Sequence, residues 1–270
     1  MSVSEPWATR TVADGRWIRQ DFGPSSIVVM NLRGEWRIAK FPDGAPEDFP
    51  FEGEAAAVEF ELEWERWDRD PGDTKLHFRP AYPDLPVVAR PRSLLNLSPK
   101  ANADFFVGIP SWIDVVGECQ GVMQRLKSIP SEVMSKTWHG SPLSGCLAYA
   151  LRTYARRVFE PDSWPDHEIV CAIGIVNDGQ DHLPFERLYL ETAHLAVFAS
   201  GGRLWGNAAR IHVDVNENNT TNVTYAQRPG APAAEAPEIT PPREGRRRKS
   251  TIQSAFSRVL GHFNPLDDPS

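Results

Sequence analysis

A chain of 270 residues with 41% hydrophobic and 24% charged side chains has a globular composition and enough length to bury a sizeable core. Its net charge of -7 excludes a global pull towards nucleic acid. Twenty-four prolines oppose long helices, and no apolar run approaches the ~20 residues that cross a bilayer.

Residues 1–15 are polar and read as a loose N-terminus. They lack a charged region followed by an apolar segment, so a cytoplasmic location is expected. An N-terminal β lobe is expected over 16–130. Its first hairpin turns at Arg33-Gly34, between two β-branched and aromatic runs. In residues 58–65 Val58, Phe60, Leu62 and Trp64 alternate with Glu59, Glu61, Glu63 and Glu65. This is the pattern of a half-buried strand with a charged wet face. Leu76-His77-Phe78-Arg79 and the run 86–90 are further strands, with prolines breaking between them.

A C-terminal β lobe is expected over 131–228, with the boundary between Cys119 and Trp138. Residues 146–157 have helical propensity but also alternate, and are read as a strand because their neighbours are strands. The stretch 168–216 organises this half. Its short apolar runs are punctuated by Asn177-Asp178-Gly179 and Ser200-Gly201-Gly202, the signature of antiparallel sheet. Cys119, Cys146 and Cys171 are odd in number and widely spaced, which suits unpaired, buried thiols.

Composition then changes. Residues 229–249 read as a disordered, Pro-rich and then basic linker, and 250–263 as an amphipathic helix. Ile252, Phe256, Val259, Leu260 and Phe263 form its stripe, with Arg246, Arg247 and Arg248 preceding it. Basic charge at a helix N-terminus is unfavourable, which points to docking on a partner protein or, weakly, on an anionic membrane.

Several ordered runs carry a resemblance: 86–91, 109–112, 135–140, 149–153 and 185–188. Together they resemble an uncharacterised prokaryotic family, the domain of unknown function numbered 432. The resemblance runs from about Trp17 to Arg228, with a weaker match in the terminal helix. It implies no activity, substrate or cofactor. His139 stands where the family pattern has Phe, and Ser144-Gly145-Cys146 where it has an acidic residue; a site formed there would be missing from this member.

No catalytic, metal or phosphate-loop signature is present, and no cofactor is expected. The most site-like residues are Trp138 and His139, in a loop of small residues, with Arg187 beside Glu186. His212 and Asp214 share a strand face and are a weak metal pair. The fold expected is all-β: two packed antiparallel sandwich-like lobes, a flexible linker and a docking helix. The function expected is a non-enzymatic binding or scaffolding module. Nine tryptophans keep a carbohydrate-binding sandwich open, and a hydrolase or isomerase with a dispersed site is the third reading.

Overall fold

The computed structural model describes residues 7–41, 43–57, 62–68, 74–92, 95–119, 121–143, 145–214, 220–247 and 249–253. Among them the chain is all-β, in antiparallel and mixed sheets with a curled half-barrel and no α-helix.

Strands Arg16–Phe22, Ser25–Leu32 and Glu35–Phe41 form a meander edged by Glu52–Glu54 and Glu65–Asp68. The turn at Arg33 and Gly34 has φ of 52° and 83°, the two-residue geometry that matches strand twist. One face of this sheet buries Phe22, Val29, Trp36 and Ile38 against Leu76, Phe78, Ile113 and Val115. Those partners come from the sheet of Thr9–Thr11, Lys75–Ala81, Trp112–Cys119 and Val122–Pro130. The other face packs Trp17, Val28 and Met30 with Phe49, and Leu62 and Trp64 lean on it while Glu63 and Glu65 stay exposed. Only Glu65 of the expected acidic ladder lies in a strand; Glu59 and Glu61 fall outside the described residues.

The second core is built on Glu168–Asn177. One edge pairs antiparallel with Asn102–Pro110. The other pairs in parallel with Arg203–Gly206 and then Ala209–Asp214. Buried Asn207 sits at the interruption, where its Oδ1 accepts from Ala196 N (2.7 Å) and its Nδ2 donates to Ala226 O (2.9 Å). Cys146–Thr153 is a strand and also runs parallel to its partner, Val87–Pro91. These parallel ladders correct the purely antiparallel expectation. A strand's composition reports its burial, whereas the direction of its partner depends on a connection distant in sequence. The strand 87–91 and the strand Asn102–Pro110 belong to this second core, although Trp112–Cys119 returns to the first. Cys171 is buried and Cys146 half-buried, both as free thiols; the side chain of Cys119 lies outside the described residues.

The segment after Arg228 departs most from expectation. Ala233 and Ala236 are buried against Trp164, Phe198 and Trp205. Glu238–Thr240 extends the edge of Val197–Ser200. Lys249–Gln253 pairs antiparallel with Thr220–Tyr225, so Ser250, Thr251 and Ile252 lie in a strand where a helix was expected. An open edge of unpaired N–H and C=O groups rewards β pairing over the first turn of a short helix. Arg248, Phe256, Val259, Leu260 and Phe263 lie outside the described residues.

Three buried serines join the two cores. Ser25 Oγ and Ser131 Oγ donate to Ser131 O and Ser111 O (both 2.6 Å), and Ser111 N donates to His167 O (2.8 Å).

Candidate functional site

Where the two cores meet, strand Lys75–Ala81 and the hairpin of Val197–Ser200 with Arg203–Gly206 wall a cleft of about 480 Å³. Alternation along Lys75–Ala81 sends Leu76 and Phe78 into the first core and leaves His77 and Arg79 on the cleft side. Clefts between packed units are the usual place for small ligands.

His77 is held from both ends. Its Nε2 lies 3.1 Å from Glu118 Oε2 and its Nδ1 2.8 Å from Thr9 Oγ1. A carboxylate only accepts, so with neutral His77 the proton belongs on Nε2, and Nδ1 accepts from the Thr9 hydroxyl. Across the cleft the Arg203 guanidinium donates to Trp164 O and lies 3.4 Å from Asp166 Oδ1. Arg79 makes no ion pair or side-chain hydrogen bond among the described residues. Gly201 and Gly202, with φ of 60° and 74°, close the far wall without side chains. The cleft therefore carries one guanidinium offset by Asp166 and one that makes no ion pair among the described residues.

The residues singled out from sequence lie elsewhere. His139 is 5% exposed and stacks on Tyr189 at 4.3 Å and 13°. Among the described residues both its ring nitrogens are buried without a hydrogen-bond partner, as is Arg187 Nε. Burial, then the Arg187 charge, hold the imidazole below its ordinary pKa. The structure thus brings His139 and Arg187 together. Trp138, one position away on the strand, faces solvent at 52% exposure, and its Nε1 donates to Ser141 O (3.0 Å). The side chain of Cys146 reaches the same cluster, 3.3 Å from Tyr189 Oη.

His212 Nδ1 is 2.8 Å from Asp178 Oδ2, and the side chain of Asp214 lies outside the described residues. No group of three or more His, Cys, Asp or Glu side chains gathers to hold a metal among the described residues. Arg246 pairs with Glu238, and Arg247 Nη1 lies 3.1 Å from Glu191 Oε2, so both lie on the core surface.

Sequence reasoning missed Thr9, Arg79, Asp166 and Arg203. The alternation of residues 76–79 did signal that His77 and Arg79 share a face, but nothing local tied them to Arg203 or Thr9.

Mixed sheets around two cores, with a cleft between them, define the class of this protein: all-β. The chain belongs to the DUF432 family of proteins of unknown function, whose family model matches residues 6–260. Comparison with curated proteins and with solved structures found no match.

Proposed function

We propose that this is a cytoplasmic, non-enzymatic binding protein whose cleft between the cores takes a small organic anion, a carboxylate or a phosphate. The observation that carries this reading is Arg79, a guanidinium with no ion pair among the described residues, facing a cleft of about 480 Å³ opposite Arg203. Guanidinium forks match carboxylate and phosphate oxygens bidentately, and a half-enclosed cleft strengthens the pairing. A carbohydrate platform has less support, because Trp138 is the sole exposed tryptophan of the nine and the other eight are buried or half-buried.

The test is thermal melting with citrate and with inorganic phosphate, on the wild type and on Arg79→Ala. A ligand at a hundred times its Kd adds about 2.7 kcal/mol of stability. The reading requires a saturable rise in Tm with one of the anions that is lost in Arg79→Ala. Equal rises in both proteins, or none with either anion, would sink it.

The Thr9–His77–Glu118 arrangement supports a second reading, a hydrolase. Thr9 Oγ1 would attack an ester carbonyl as His77 Nδ1 takes its proton. The proton would then pass to the leaving alcohol, and water would release the acid. Turnover of p-nitrophenyl acetate that disappears in Thr9→Val and His77→Gln would favour this reading over simple binding.

A further inference from the structure

We propose that a cluster of arginines on the second core is a docking surface for an acidic segment of a partner protein. Arg90 and Arg152 are direct partners in the parallel register of Val87–Pro91 with Cys146–Thr153, and both are exposed. Like charges placed side by side on neighbouring strands destabilise the sheet. Two positions along, Arg92 and Tyr154 continue the same face. Arg92 Cζ lies 4.3 Å from the Tyr154 ring centroid, and Tyr154 is 59% exposed. Arg156 Cζ lies 5.1 Å from the same centroid.

The backbone is arranged to bring Arg156 there. Ala155 has φ of 46°, in the left-handed region that a residue with a Cβ rarely occupies. It turns the chain so that Arg156 makes an isolated bridge to Phe106, with its N–H and C=O both paired at 3.1 Å and 2.7 Å. Tyr154 is thereby flanked by two guanidiniums within cation–π distance of its ring. Among the described residues, one ion pair is made by these four arginines, Arg156 with Glu160 at 3.8 Å.

A face of four arginines with one ion pair among the described residues, on a chain of net charge -7, calls for a local anion. A long nucleic-acid strand would carry its flanking phosphates across an otherwise acidic molecule. A short acidic peptide meets only the arginines. Arginine and tyrosine are also the side chains that concentrate binding energy at protein interfaces.

The experiment is fluorescence anisotropy with labelled poly-L-glutamate and with an oligothymidylate of matched charge, at low salt and at 0.15 M ionic strength. The wild type is compared with Arg90→Ser/Arg152→Ser and with a control on the sheet of the first core, Arg33→Ser/Arg66→Ser. The proposal requires saturable, salt-sensitive binding of polyglutamate, about tenfold weaker or more in the first variant and unchanged in the control. The Arg90→Ser/Arg152→Ser protein should melt at or above the wild type, because the like-charge contact is gone. Should it unfold instead, Arg92→Lys decides alone: it keeps the charge but loses the fork and the stacking, and unchanged binding overturns the proposal. No binding of polyglutamate to the wild type would also overturn it. So would tighter binding of oligothymidylate through the same arginines, which would assign the face to nucleic acid.

Discussion

Arg243 Nη2 lies 3.3 Å from Asp114 Oδ1, and the two side chains are 15% and 10% exposed. The same guanidinium donates to Ser128 Oγ (2.7 Å) and to Tyr82 O (3.0 Å). A residue from the tail thus satisfies a buried carboxylate of the first core and a carbonyl at the edge of the second. Removing it leaves Asp114 with Arg125 at 3.6 Å and Ser128. Arg243→Ala should cost about 3 kcal/mol. Urea denaturation would read this as a lower midpoint with unchanged slope. A midpoint equal to wild type would show that the tail is not part of the cooperative unit.

A second expectation concerns pH. The Glu168 carboxyl lies over Gly108 beside Trp164, and burial, then the Glu132 charge, push its pKa up to about 7. The unfolded value is near 4.3. Between these values the folded protein holds a proton that the unfolded chain has released. Stability contributed by this group therefore falls as pH rises from about 4.3 to about 7. Glu168→Gln should flatten that part of the profile and be more stable than wild type at pH 8. Parallel profiles for the two proteins would refute the assignment.

His139 has the opposite sign. Its folded pKa is depressed, so the unfolded chain binds the proton more tightly and stability is lost as pH drops below about 6.5. His139→Phe keeps the ring stacked on Tyr189 and removes two buried nitrogens that have no partner among the described residues. A gain of about 1–2 kcal/mol is expected, growing towards acid pH. Chemical denaturation at pH 5.5 and 7.5 measures it, and a loss at both pH values would show that the nitrogens have a use.

Gly206 is a matter of space. A Cβ there would overlap the Tyr82 hydroxyl and lie 2.7 Å from Cys171 Sγ. Tyr82 Oη and Cys171 Sγ are themselves 3.0 Å apart in the buried core, where burial pushes the thiol pKa up to about 12. Gly206→Ala should cost about 1–3 kcal/mol. Adding Tyr82→Phe removes the clashing oxygen and should recover part of that loss, a non-additivity that a double-mutant cycle detects. Strict additivity would place the strain elsewhere.

Local features of this protein were legible in its sequence because they rest on local chemistry. The turns at Arg33-Gly34 and Gly201-Gly202 are marked by glycines that tolerate positive φ. The placement of Leu76 and Phe78 inward, and of His77 and Arg79 outward, follows from a two-residue period. The strand at Cys146–Thr153 was legible from its strand neighbours, against its own helical propensity. Tertiary structure alone decided what lies beside what. The parallel ladder that sets Arg90 beside Arg152, the cleft that sets Arg79 opposite Arg203, and the sheet edge that recruits Lys249–Gln253 each join residues far apart in the chain. Such pairings depend on which buried faces close together and on the loop entropy of bringing them there. A short run of residues encodes neither.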